Sequence, residues 1–277
     1  MTRPSRLRRA VALAAGALSL AGLIGWSRIE PSHERDWVAE QAVLPTATLE
    51  GDRVRIRGFR NWDWRGEGAP RPRWEERTYD LAGIESVWYV LTPFGRNWRG
   101  PAHSFLSFGF ADSQFVSISV EARKEVGETY SILRGLLKRF EVMYVIGDER
   151  DLLGLRIFRN ADDVYIYPIR ATPDAVRRLF VEMLERANRL AAAPEFYGSL
   201  RNNCTTNILR HVNRVAPKPI GFGPRVLLPG YSDALAHRLG LIDTELPLEA
   251  ARERFRANDR ARSYADSASF SAAIRGT

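Results

Sequence analysis

Cysteine is almost absent from this chain: of 277 residues, Cys204 alone carries a thiol. No disulfide can form within the chain, which excludes the small disulfide-stapled folds. Histidine is scarce too, with four residues (His33, His103, His211 and His237) spread along the sequence. So few and so scattered, they do not make a structural zinc site, and no cofactor or metal is expected. The arginines are numerous but dispersed, without zinc-finger spacing or a helix-turn-helix signal. Nucleic acid is therefore not the partner expected from the net charge of +8. The charge suits phospholipid head groups instead. Gly221-Phe-Gly223 lacks the preceding strand and the spacing of a nucleotide loop and reads as a turn. No internal repeat occurs.

What is present begins with Arg3, Arg6, Arg8 and Arg9, followed by the 17 uncharged residues Ala10 to Trp26. The first expectation is a signal anchor at the lower limit of a transmembrane helix. The second is a cleaved signal peptide, although no Ala-x-Ala site follows the run. No cysteine is placed for a lipobox. Arginines before the run and Glu30, Glu34 and Asp36 after it orient the body outward. The domain is thus expected in the periplasm, either anchored to the inner membrane or secreted. Residues 1–28 form this signal and residues 29–50 a linker. Residues 51–248 form one α+β domain. Residues 249–277 form a charged extension, whose end from Ala265 either packs on the domain or frays.

Within the domain, 54–57 and 87–91 read as strands. Phe59 to Pro72 reads as irregular backbone, with Trp62 and Trp64 either capping the core or forming an aromatic and arginine rim around a lipid or peptide groove. His103–Phe110 and Phe115–Arg123 read as a hairpin about the loop Ala111–Gln114. Symmetry about that loop sets Phe110 opposite Phe115 and Ser104 opposite Glu121, with His103 and Glu121 in neighbouring rows; a slip of one residue would exchange the faces. Residues 130–141 read as a helix, and 141–146 and 163–169 as strands. Thr172 and Pro173 open a helix to about Leu190, with Val176, Leu179, Phe180, Met183, Leu184 and Ala187 at helical spacing. After a loop at 191–203, a helix starts at Cys204, carries Ile208, Leu209 and Val212, and stops before Pro217.

A thiol in the first turn of a helix gains from unpaired backbone N–H groups and the helix dipole, both of which favour thiolate. The same turn offers donors to an oxyanion. Cys204 is therefore a candidate nucleophile, and His103, at the start of a strand after an irregular loop, is the candidate base. His211 lies about 10 Å further along the cysteine helix, at ~1.5 Å per residue. His237 falls in a helix-like stretch and His33 in the linker. Glu121 is the candidate orienter of the imidazole and Ser119 the second choice; Asp112 sits at the hairpin tip. Asn202 and Asn203 either position the cysteine turn or, for Asn203, help to bind the oxyanion. The plain alternatives are an inert buried thiol, an ordinary strand histidine and a structural Glu121–Arg123 ion pair.

These segments, in this order, resemble the family named after the N-terminal periplasmic domain of Lnb, the lipoprotein N-acyltransferase. The resemblance runs from Val54-Arg-Ile-Arg-Gly-Phe-Arg60 through Ala102-His103, Phe108-Gly-Phe110 and Ser119-Val-Glu121-Ala-Arg123-Lys124. It continues with Asp148-Glu149-Arg150-Asp151, Phe196-Tyr197, Asn203-Cys204-Thr205-Thr206 and Leu228-Pro229-Gly230-Tyr231. It closes on Phe270-Ser271-Ala-Ala-Ile274-Arg275. The resemblance implies a circularly permuted papain-like fold, related to the NlpC/P60 and lecithin:retinol acyltransferase enzymes. Its antiparallel sheet would pack against the cysteine-bearing helix. Thr205-Thr206 stands where the permuted acyltransferases commonly have an acidic residue and a histidine. The implied activity is attack of Cys204 on a phospholipid ester, then transfer of the acyl group to the α-amine of a diacylglyceryl-cysteine lipoprotein. Lnb-type enzymes carry further membrane-spanning segments, and none is expected here after Trp26. Sister roles as an envelope thiol amidase or peptidase, a phospholipid hydrolase, or a non-enzymatic anchored scaffold follow from the same fold. The scaffold reading expects Cys204 to be buried or without an imidazole neighbour.

Overall fold

The structure is a computed structural model that describes residues 6–95 and 100–276, with side chains from Leu13 onward except Leu23. The basic start before Arg6 and the middle of the 93–101 loop lie outside the described residues. Eight strands form one sheet: β1 (Thr46–Glu50), β2 (Arg53–Arg60), β3 (Trp74–Asp80), β4 (Ile84–Pro93), β5 (Ala102–Phe110), β6 (Phe115–Arg123), β7 (Glu141–Asp148) and β8 (Tyr165–Pro168). Their order is β1-β2-β7-β6-β5-β4-β8, with β3 also on β2. The helices are α1 (Arg6–Ser27), α2 (Ile132–Leu136), α3 (Glu149–Gly154), α4 (Pro173–Ala192), α5 (Cys204–Val215), α6 (Pro224–Leu227), α7 (Ser232–Arg238), α8 (Leu248–Phe255), α9 (Asn258–Ser263) and α10 (Phe270–Ala273). The fold is α+β, but the sheet is mixed rather than purely antiparallel, because β2 and β7 run parallel where Arg60 meets Gly147.

Strand β5 shows why the sheet is central. His103-Ser-Phe-Leu-Ser-Phe-Gly-Phe110 has few polar side chains larger than serine, and all nine residues of the strand are buried. One face of the sheet packs on α4 and α5, through Leu106, Phe108 and Ile118 against Phe180, Met183 and Ile208. The opposite face, with Phe105, Met143 and Val145, packs on Leu153, Ile157, Ala261 and Phe270. Helix α4 forms as its sequence directs. Thr172 Oγ1 accepts from the Ala175 N–H, Pro173 occupies the first turn, and Val176, Leu179, Phe180, Met183, Leu184, Ala187 and Leu190 are its buried stripe.

Several expectations are corrected. Residues 29–50 are not a linker: Trp37 bridges to Glu125, Gln41 is buried, and β1 pairs along β2. Residues 130–141 hold only the short helix α2, because Lys138 takes a left-handed φ of 55° and Glu141 already belongs to β7. The hairpin is one residue out of the symmetric register, pairing Gly109 with Phe115 and Phe105 with Ser119. Its loop closes through Phe110 N–H to Gln114 O and Ser113 N–H to Phe110 O, with Ser113 at φ 60°, which takes one residue more from the first strand.

The C-terminal end does not fray. Phe270, Ile274 and Arg275 are buried. The Arg275 guanidinium lies 3.7 Å from the Phe115 ring centroid and 4.6 Å from that of Trp88, and pairs with Glu149 Oε2 at 2.8 Å. At the other end, α1 forms with Leu13 and Leu18 exposed. Among the described residues no helix is long and apolar enough to cross a membrane.

Candidate functional site

The hydrogen-bond ladder between β5 and β6 ends at Phe105–Ser119, while β4–β5 pairing continues to Ala102 and β6–β7 pairing to Arg123. The two strands therefore part at the His103 end, and the first turn of α5 meets the sheet there. The turn is held by a capping box. Asn203 Oδ1 accepts from the Thr206 N–H at 2.9 Å, and Thr206 Oγ1 accepts from the Asn203 N–H at 2.9 Å. Asn203 Nδ2 donates to Ser199 O at 2.6 Å. The Asn203 amide thus ties the cysteine turn to the backbone from both of its ends.

The register slip that corrects the hairpin also aligns the site. Continued past Phe105–Ser119, it sets His103 opposite Glu121, on one face with Ser119. His103 Nε2 lies 2.7 Å from Ser119 Oγ and 3.1 Å from Glu121 Oε1, and Ser119 Oγ donates to Glu121 Oε1 at 2.7 Å. Arg156, on the π-helical turn Leu155–Arg159, donates to the same carboxylate oxygen at 3.0 Å. Glu121 thus pairs with Arg156 and not with Arg123, whose guanidinium donates to the Gln41 and Ala42 carbonyls and lies 4.1 Å from the Trp37 ring centroid. The imidazole and the Ser104 backbone N–H both favour the Cys204 thiolate, and the sulfur lies 3.7 Å from Thr205 Oγ1.

These contacts act on proton affinity in concert. Burial alone would lower the pKa of His103, but the Glu121 charge and the bonds to Cys204 and Glu121 push it up to about 9, against some opposition from Arg156. Burial would raise that of Cys204, but the His103 bond and charge and the Ser104 N–H bring it down to about 7. Burial also opposes ionisation of Glu121, yet His103 and Arg156 hold it well below the usual carboxylate range. Both shifts run in the direction that favours a thiolate beside an imidazolium.

Cys204 is only 5 % exposed, yet it opens into a groove of about 590 Å³ together with His103 and Glu121. Trp62 and Trp64 form one wall. They are buried and stacked 5.5 Å apart, with Trp64 Nε1 bonded to Asp151 at 2.7 Å, so they cap core and line the groove without making an exposed rim. Asp151 also takes both Arg60 bonds at 2.9 Å, which places the 148–151 acidic run in the scaffold behind this wall. Tyr130 and Tyr197 line another side, their hydroxyls 3.3 Å apart. Burial and the Cys204 charge raise the pKa of Tyr197, which keeps its phenol protonated.

The remaining histidines stand apart. His211 Nε2 meets Tyr144 OH at 2.6 Å, and burial with Arg214, Arg186, Arg210 and Arg189 lowers its pKa to about 3, so it stays neutral in the core. His237 bonds the Leu246 carbonyl at 2.8 Å. The His33 carbonyl accepts from Trp37 Nε1. Asp112 is at the hairpin tip with Gln114. Arg156 and Tyr130 went unread in the sequence, and Tyr197 entered there only within the Phe196-Tyr197 motif of the family resemblance. No group of three metal-binding side chains occurs among the described residues.

A buried cysteine opening a helix thus shares a groove with a strand histidine that a carboxylate holds from behind, in a protein of α+β fold. The model of the family described as the Lnb N-terminal periplasmic domain matches residues 71–223, more than half of the chain and a span that includes His103, Glu121 and Cys204. The chain belongs to that family, and the domain is periplasmic. No curated protein and no solved structure matches it.

Proposed function

We propose that the protein is a thiol acyltransferase or hydrolase of the cell envelope, acting on acyl groups of phospholipids or lipoproteins with Cys204 as nucleophile. The observation that carries this reading is that Cys204 and His103 line one groove, with His103 Nε2 fixed by Ser119 and Glu121. The histidine strand precedes the cysteine helix, the order of a circularly permuted papain-like fold. In the reaction, the Cys204 thiolate attacks the ester carbonyl carbon. The negative charge passes to the carbonyl oxygen, next to first-turn amides of α5 that the cap does not use. His103 gives its proton to the departing alkoxide as the C–O bond breaks, leaving an acyl thioester and a neutral imidazole. An amine or water then attacks the thioester, His103 takes the proton of that nucleophile, and Cys204 leaves as thiolate. Glu121 and Arg156 keep the imidazole oriented through both steps. The basic start and apolar α1 would hold the domain at the inner membrane, where such substrates reside.

The nearly complete burial of Cys204 fits one half of the scaffold alternative, but the imidazole neighbour does not. Incubation with phospholipid carrying a labelled acyl chain tests the proposal. Label recovered as a thioester on wild-type protein and absent from Cys204→Ala supports acyl transfer. No label from phospholipid, lipoprotein or short-chain ester donors would overturn it in favour of a peptidase or binding role.

A further inference from the structure

The surface beside the groove exposes more aliphatic side chain than the fold requires. Helix α2 buries Gly135 against Tyr197 and Ser199, yet Ile132, Leu133, Leu136 and the adjoining Leu137 are 51, 65, 42 and 49 % exposed. Leu200, 52 % exposed, stands on the turn whose Ser199 Oγ donates to the Ile132 carbonyl at 2.8 Å. The end of α1 reaches the same place. Lys138 Nζ is 3.4 Å from Trp26 O and 3.5 Å from Ile29 O, and 4.5 Å from the Trp26 ring centroid. Aliphatic side chains grouped this way mark a contact surface. Arg134, Arg139 and Arg201 are exposed around them, with Glu128 paired to Arg139 at 3.3 Å.

We propose that this face docks on an anionic phospholipid bilayer. The aliphatic centre suits the acyl boundary and the arginine frame suits the head groups. The apolar helix α1 leaves from the same face, so the chain is tethered where it would dock. Tyr130, beside the Ser131 cap of α2, and Tyr197, beside the Ser199–Leu200 turn, both line the groove that holds Cys204. Docking would therefore set the groove against the membrane and give it lipid-borne acyl esters without their leaving the surface. The purpose of the docking rests on the acyl-transfer reading, but the docking itself is measured without chemistry.

The test places a solvent-sensitive fluorophore on Leu133→Cys in a Cys204→Ala full-length chain, with Gln114→Cys at the hairpin tip as the control. Vesicles of equimolar phosphatidylcholine and phosphatidylglycerol should shift the Leu133 probe to the blue and leave the Gln114 probe unchanged. In the chain that keeps Cys204, Leu133→Glu with Leu136→Glu should raise the lipid concentration for half-binding at least about tenfold. Its Cys204 alkylation rate should stay unchanged, which shows the site still folded. The proposal is overturned if the Leu133 probe stays in water while the chain is vesicle-bound, because α1 alone would then account for binding. It is equally overturned if the probe shifts with protein concentration in the absence of vesicles, because the face would then join two copies of the chain. Failure of the thioester experiment leaves this result standing.

Discussion

Glu121 Oε1 stands 3.1 Å from His103 Nε2, across the point where β5 and β6 part. The carboxylate raises the proton affinity of an imidazole that in turn lowers that of the thiol. Glu121→Gln removes that charge while keeping the shape and the bond to Ser119. The His103 pKa should fall and that of Cys204 rise, slowing alkylation by iodoacetamide at pH 6.5 about tenfold, the effect of one unit of thiol pKa. An unchanged rate would remove Glu121 from the site's electrostatics.

The shifts at Cys204 and His103 also set a pH window. Lowered to about 7, Cys204 ionises below an ordinary thiol, so alkylation should rise through about pH 7 rather than through about 8.5. Raised to about 9, His103 keeps its proton until above that value, so ester turnover, which needs a proton for the leaving group, should fall on the alkaline side near pH 9. Alkylation needs no such proton and should not fall there. Rate profiles of the two reactions on one preparation check the difference.

Asn203 closes the capping box and ties the cysteine turn to Ser199. Asn203→Ala should cost about 1 kcal/mol of stability. The loss should appear as a decrease of about 2–4 °C in Tm, with slower Cys204 alkylation as the turn loosens. Asn203→Ser, which keeps a capping oxygen, should recover most of the stability.

Arg275 and Glu149 form a buried pair on the sheet face opposite α4 and α5. Arg275→Ala leaves the Glu149 carboxylate uncompensated and should destabilise by about 3–5 kcal/mol. The double variant Arg275→Met with Glu149→Gln should regain much of that in denaturant unfolding.

Helix α4, the hairpin and the cysteine helix could be read from sequence because each declares itself locally. Thr172-Pro173 marks a helix start, the apolar runs flank a polar loop, and Asn203 precedes a helical stripe. Strands β1 and β3 could not be read. Thr46–Glu50 and Trp74–Asp80 are polar edge segments whose burial patterns show no clean alternation, and they exist because β2 pairs with both. The residues of the site were legible, but their alignment was not. His103 and Glu121 come face to face through a one-residue slip decided by the backbone of Ser113, to which hydrophobic patterning is blind. Arg156 was invisible for a related reason, since its place depends on how a π-helical turn packs on the sheet.

The parting of β5 and β6 ties reactivity to completed folding. The groups that ionise Cys204 come from the hairpin and α5, which meet only once the sheet and the helical layer on it are assembled. Before that the thiol is an ordinary one with a pKa of about 8.5, only a few per cent ionised at neutral pH, against about half in the folded site. An unfolded chain reaching the oxidising periplasm would thus carry a comparatively dormant sulfur. Its folded form would carry an activated one, enclosed in a groove and slow to meet other thiols.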